Sequence, residues 1–208
     1  AGGVPFKSLA SGGEVGELHL VRISSRDPSP PPLSYIRVSG GIFLDMTVHD
    51  FDMARFLTGS EVEEVYARGE VRVDPEIAGA GDLDTVVVTL RHEDRTLTTI
   101  DNSRRAAYGF DQRLEAFGSS GMAVSANPAR HMGAVTTETG TRSQPLPYFF
   151  LERYTPSYVA QWTAFEQAVR SGSPPAVAGR DGRAALVIGL AAWKSVHEGR
   201  PVRTDEIG

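Results

Sequence analysis

The chain has 208 residues, 40% of them apolar and 23% charged, with no cysteine and a formal net charge of −5. That length and mixture suit one sizeable core and exclude a disordered chain. The missing cysteines exclude disulfides, thiolate nucleophiles and Cys-ligated zinc, and the acidic balance without a basic run argues against a nucleic-acid partner. No apolar run reaches membrane-spanning length and no export signal is read, so no membrane partner and a cytoplasmic location are expected.

Residues 1–12 read as the last turns of a helix stopped at Gly12-Gly13. They are expected to be the remnant of a preceding helix or linker, with residues 13–208 forming the domain. Alternation through Leu18, Leu20, Arg22 and Ser24 predicts a strand. In RDPSPPPLSYIRVSGG, from Arg26 to Gly41, prolines and serines predict a loop where a ligand could enter. A helix is expected from near Leu44. Then EVEEVYARGEVRV, DTVVVTLRHE, RTLTTIDNS, QRLEAFGSSGMAVSA and GAVTTET read as short, mostly antiparallel strands. Tyr158, Trp162, Phe165 and Val169 recur at spacings of three and four, which predicts a helix from Pro156 to Gly172 with Tyr158 and Trp162 in the core. A nearly all-apolar helix, covered on most sides, is expected from Gly182 to His197, stopped by Gly199 and Pro201. The fold class is therefore α+β, a largely antiparallel open-faced sheet with helices packed on one face and the other face uncovered.

The segment GGIFLDMTVHDFDMARFL carries the chemistry. On a helix that begins near Leu44, Asp45 and His49, four apart, stack one turn from each other, and Asp52 is able to share that face. A carboxylate beside an imidazole makes a base that works near neutral pH. The same residues also fit a helix-dipole acid followed by an ordinary helical histidine. As metal ligands, Asp45, His49 and Asp52 lack further partners at fixed spacing, so no metal is expected. No serine-nucleophile motif is present. The glycine clusters, AGAGD at Ala78 to Asp82 included, do not form G-x-G-x-x-G between a strand and a helix, and AGAGD reads as a turn. The histidines His19, His92, His131 and His197 have no metal-site spacing and read as structural or solvent-facing.

The core GG-x-x-x-D-x-x-x-H-D-x-D, with YGFDQRLEAFGSSGM and the late DGRAAL and GRPV run, resembles the C-terminal half of the inositol dehydrogenase and glucose-fructose oxidoreductase family, in order from about Gly13 to the end. The resemblance implies the dihydrodipicolinate-reductase-like C-terminal fold of these dehydrogenases. It also implies a substrate-binding and oligomerisation domain whose partner Rossmann domain, binding NAD or NADP and supplying a Lys-Pro lysine, is missing from this chain, which alone is expected to be inactive. By position, His49 matches the family's base and Asp45 its partner, with a cyclic polyol or sugar as substrate and a homo-oligomer, dimer or tetramer, formed through the open sheet face.

Asp27 stands where inositol dehydrogenases commonly place an asparagine that contacts the polyol, though Asp before Pro28 also suits a turn. Tyr108 matches a pocket aromatic; Phe110, where a second tyrosine is common, fits either the pocket or the strand core. Two other functions fit the residues: a stand-alone polyol-binding or dimerisation module, and metal-dependent hydrolysis on the quoted helix.

Overall fold

The computed structural model describes residues 13–129, 131 and 133–208, so the helical reading of residues 1–12 lies outside the described residues. Strands β1 (Leu18–Arg26), β2 (Val62–Glu70), β3 (Thr85–His92), β4 (Leu97–Ser103), β5 (Asp111–Gly118), β6 (Gly121–Ser125) and β9 (Val202–Arg203) form one sheet in the order β6-β5-β1-β4-β3-β2-β9. Strands β7 (Ala134–Thr137) and β8 (Gly140–Ser143) pair as a separate hairpin. All neighbours in the large sheet are antiparallel except β1 and β4, which run parallel.

Period-two alternation decides which side of each strand is buried. In β3, Val86, Val88, Leu90 and His92 point inward while Val87, Thr89 and Arg91 point out. The inward rows meet helices α2 (Ile42–Asp45), α3 (Val48–Thr58) and α6 (Gly179–Glu198), so that Phe43, Phe51, Leu57, Ile188 and Ala192 close over Ile23, Val88 and Ile100. The opposite face carries a row of apolar side chains in register, Leu97, Leu20, Phe117 and Met122, and Leu97, Phe117 and Met122 are exposed. The α+β class with helices on one sheet face is what the sequence leads one to expect.

Several expectations need correction. The Pro/Ser segment is not a loop throughout: beyond Pro32, where the prolines end, Leu33–Ser39 form helix α1, which buries Ile36 and stops at Gly40 in a left-handed conformation. The helix expected from Leu44 starts at Ile42 and is split in two. At the break the Thr47 amide donates to the Ile42 carbonyl five residues back (2.9 Å), and the Thr47 hydroxyl donates to Asn102 Oδ1 on β4 (2.7 Å), so the chain shifts register before α3 starts. The strand read through Val73 ends at Glu70, and Pro75–Gly79, for which no element was expected, form a short helix α4 capped by Asp74.

Helix α5 (Phe150–Ser171) starts six residues before Pro156, which lies inside it. None of its residues is buried, and Trp162 is 72% exposed, so Tyr158 and Trp162 are surface rather than core residues. Period shows which side of a helix is apolar, not what covers it. Helix α6 starts at Gly179 and is buried along one side only, at Ala185, Ile188, Gly189, Ala191, Ala192 and Ser195; Leu186 and Leu190 are exposed.

Gly41 begins α2 at φ 79°, ψ 177°, a conformation close to glycine-only. A Cβ there would stand 2.6 Å from the Trp193 ring and 2.8 Å from the Asp82 carboxylate. Gly41→Ala is expected to lower stability by about 2–4 kcal/mol from backbone strain and overpacking, read by urea denaturation against wild type. An unchanged midpoint would show that α2 can move aside.

Candidate active site

Strand ends place the site. Along β1 the inward positions run Val21, Ile23, Ser25, and at Ser25 the covered face turns polar: Asn102 on β4 and Gln112 on β5 stand in register on either side. The first turn of α3 lowers Asp50, 2% exposed, onto this row. Its carboxylate accepts from the Ser25 hydroxyl (2.7 Å) and the Asn102 amide (2.7 Å), and Gln112 donates to Ser25 Oγ (2.9 Å). Burial pushes the Asp50 carboxyl up to about 6, against the opposing pull of the Ser25 and Asn102 hydrogen bonds.

Asp45 is the last residue of α2. Its Oδ1 accepts from the Tyr35 hydroxyl on α1 (2.6 Å) and its Oδ2 from Arg104 Nη1 (3.1 Å), just past the end of β4. The hydrogen bond to Asp45 raises the Tyr35 phenol above its usual range. Arg104 Nη2 reaches Asp82 (3.3 Å), whose other oxygen accepts the Ile42 amide (2.8 Å).

Asp27 follows β1, held by backbone bonds from its N–H to the Ser103 carbonyl (3.0 Å) and from the Ala106 N–H to its own carbonyl (2.6 Å). Burial pushes its carboxyl up to about 6; nearby Arg104 pulls it down and Asp45 pushes it up. Asp27 and Asp45 therefore both lie in the field of the Arg104 guanidinium, and Asp45 pairs with it directly.

His49 is the second residue of α3 and its side chain is exposed. The helix breaks between Asp45 and His49, and among the described residues no hydrogen bond joins them; the partners of Asp45 are Tyr35 and Arg104. Asp52 turns instead to Arg55 (3.3 Å). Tyr108 is half exposed, and its hydroxyl donates to Asp111 (2.6 Å) and accepts from Arg26 (3.2 Å). Burial alone would push the Asp111 carboxyl up, but hydrogen bonds from Arg113, Tyr108 and Asn127 hold it below the usual range. Among the described residues no polar contact links Tyr108 to Asp27, Asp45 or His49. Phe110 is buried, edge-on to Tyr154 on α5 at 5.9 Å. Burial pushes the Tyr154 phenol up to about 12.

Arg104, Asp82, Tyr35 and the burial of Asp50 escape a reading of the sequence. Arg104 and exposed Arg105 are adjacent in SRRAA, and nothing local tells them apart. Among the described residues no three His, Asp or Glu side chains form a metal-binding group.

Residues 6–124 match the family model described as the GFO/IDH/MocA C-terminal domain. The chain belongs to this family. It is 55% identical over 202 residues to a myo-inositol 2-dehydrogenase of Thermotoga maritima, covering 97% of this chain and 60% of that protein. Among solved structures, a probable dehydrogenase from Thermotoga maritima superposes with a TM-score of 0.95 at 54% identity, covering 98% of this chain and 61% of that one. A scyllo-inositol dehydrogenase from Lactobacillus casei, solved with NAD(H) and scyllo-inositol, superposes with a TM-score of 0.87 at 29% identity, covering 96% of this chain and 60% of that one. The chain thus spans about three fifths of the length of these GFO/IDH/MocA relatives.

The family implies a dinucleotide cofactor, but the AGAGD segment does not form its cradle. Ala78 and Gly79 end α4, and Ala80 and Gly81 make a turn leading to Asp82, so no helix opens from a glycine loop there. No helix among the described residues is long and apolar enough to cross a membrane.

The raised Asp50 carboxyl has a consequence for stability. Unfolded, it titrates near 3.8; folded, near 6. Between these values the native state holds the extra proton, so stability falls as pH rises from about 4 to about 6 and is flat above, with a loss of at most roughly 3 kcal/mol. Asp27 adds to the same window. Asp50→Asn is expected to make the denaturation midpoint distinctly less pH-dependent across this range; an unchanged slope would place the proton elsewhere.

Proposed function

We propose that these residues form the substrate-binding and proton-transfer domain of an NAD(P)-dependent, inositol-2-dehydrogenase-like oxidoreductase that oxidises a ring hydroxyl of a cyclic polyol or sugar. The observation that carries this reading is the placement of His49: an exposed imidazole in the first turn of α3, a few residues after a carboxylate, Asp45, that is fixed from behind. The nicotinamide, held by a dinucleotide-binding unit outside these residues, would accept hydride from the carbon bearing the hydroxyl.

His49 takes the proton of that hydroxyl as the general base. Asp45 keeps lone pairs available beyond Tyr35 and Arg104, and serves to accept from the imidazole or from the substrate hydroxyl. Asp27, fixed through its backbone, receives a second hydroxyl: ionised, it only accepts; protonated, it also donates. Tyr108 offers a phenol at the rim, and Phe110 contributes apolar wall from its buried position. Exposed imidazole and pinned carboxylates together favour a neutral polyhydroxylated ring as ligand.

The test uses the full-length protein with NAD or NADP and myo-inositol, scyllo-inositol or glucose, following nicotinamide reduction. His49→Gln is expected to lower kcat by about 10²–10⁴ with a smaller effect on KM, the usual loss when a general base is removed. Inositol binding without turnover with either cofactor would favour a polyol-binding module instead, and a His49→Gln enzyme of undiminished kcat would remove His49 from the mechanism.

The same reading extends to the open sheet face. The row Leu97, Leu20, Phe117 and Met122 is an apolar stripe across β4, β1, β5 and β6, and its burial against a second copy would form a homo-oligomer. Sedimentation at micromolar concentration is expected to show a dimer or larger species, and Phe117→Glu to shift it toward monomer. A monomeric wild type would overturn this assignment.

A further inference from the structure

We propose that Arg104 is a positioning residue for the reaction, acting through Asp45 as one clamp with Asp82. The inference rests on the reading of Asp45 and His49 as the reacting pair.

Helix α2 has only four residues, Ile42–Asp45. So short a helix gains little from its own hydrogen bonds, and its geometry must be imposed from outside. The imposed contacts form a ring. The amide of the first residue, Ile42, donates to Asp82 Oδ1 (2.8 Å). Asp82 Oδ2 accepts from Arg104 Nη2 (3.3 Å), and Arg104 Nη1 donates to Oδ2 of the last residue, Asp45 (3.1 Å). One guanidinium paired with two acids therefore grips both ends of the segment that carries the Asp45 carboxylate.

The clamp is itself anchored. The Arg104 backbone N–H donates to the Asp84 carbonyl (2.8 Å), and the Asp84 carboxylate accepts the amides of Arg72 (2.7 Å), Val73 (2.8 Å) and Asp74 (3.1 Å). The side chain of Arg104 is 1% exposed, that of Asp82 3%, and that of Asp45 15%, so the charge is buried behind the acid and the acid faces out. Gly41 has no Cβ where one would collide with Asp82, which lets the clamp close on α2.

A buried ion pair is weak evidence for a role in stability alone, since apolar replacements of equal volume often match it. What it does supply is a fixed direction for a carboxylate, and in proton transfer a small displacement of a reacting group is costly. Arg104 touches no reacting atom in this arrangement; it works by holding Asp45 still.

The test is a double-mutant cycle in the full-length enzyme, with Arg104→Met, Asp45→Asn and the pair combined, assayed with inositol and the nicotinamide cofactor. Arg104→Met is expected to lower kcat by about 10- to 100-fold with KM changed less than about threefold, and the double variant to match Asp45→Asn within about twofold, because the two residues act as one unit. Arg104→Lys, which restores the charge but not the two-ended fork, is expected to recover part of the loss.

Losses that multiply in the double variant, or an Arg104→Met enzyme of wild-type kcat, would overturn the proposal. Should Arg104→Met not fold, Asp82→Asn takes its place in the cycle: a kcat loss of about fivefold or more that vanishes on the Asp45→Asn background supports the clamp, and a multiplying or absent loss overturns it. A wild-type enzyme without turnover overturns the functional reading and this proposal with it; an active wild type with multiplying losses overturns the proposal alone.

Discussion

The buried guanidinium of Arg104, between Asp82 and Asp45, is the contact on which the arrangement of this face depends. Taking an arginine out of water is expensive, and the cost is offset only if its charge and its donors meet acids with good geometry. That demand fixes three chain segments relative to one another: the end of β4, the turn after α4, and the four residues of α2. The backbone of Asp27 is tied to the same strand end through Ser103. The Asp45 carboxyl, which faces outward, is thus located by one cation behind it, while α3, which presents His49, also packs through its apolar side, where Phe51, Ala54 and Leu57 are buried.

Much of this architecture was legible in the sequence because strands advertise their buried face. Alternation in DTVVVTLRHE and in LHLVRISS places Val86, Val88, Leu90, Val21 and Ile23 inward without any knowledge of their neighbours. The split between α2 and α3 was not legible. Apolar residues continue through Met46 and Val48 at helical spacing, and the break is caused by a contact 55 residues away, Thr47 to Asn102. The candidate-site residues singled out by type, Asp45 and His49, were visible; those that place Asp45, Arg104 and Asp82, were not. A charged residue is singled out by what surrounds it, and burial of Arg104 beside exposed Arg105 is a tertiary fact.

Core and site draw on the same elements in a way that costs stability. The inward row of the sheet is apolar until Ser25, Asn102 and Gln112, and the acid set upon them, Asp50, is fully buried and prefers its proton up to about pH 6. An apolar row there would be easier to bury. The polar row instead ties the start of α3 to β1 and β4 by directional bonds, through Asp50 to Ser25 and Asn102, and Thr47 to Asn102. Hydrogen bonds fix angle as well as distance, whereas apolar packing leaves a helix some freedom to slide, so the first turn that carries His49 is held in direction as well as in place.

The charge around Arg104 also bears on what can approach. Two carboxyls, Asp45 and Asp82, pair with this single guanidinium, and Asp27 lies within reach of its field, with burial pushing the Asp27 carboxyl up to about 6. A ligand that brought a carboxylate or phosphate of its own would add to the repulsion among these acids, whereas a neutral ring of hydroxyls brings donors that the acids accept. On the proposed reading, the arrangement that fixes Asp45 therefore also selects against acidic sugars, and it does so by repulsion rather than by shape. Specificity for one polyol over another must then come from where Asp27, Tyr108 and the surrounding backbone meet individual hydroxyls, since charge alone treats all neutral polyols alike.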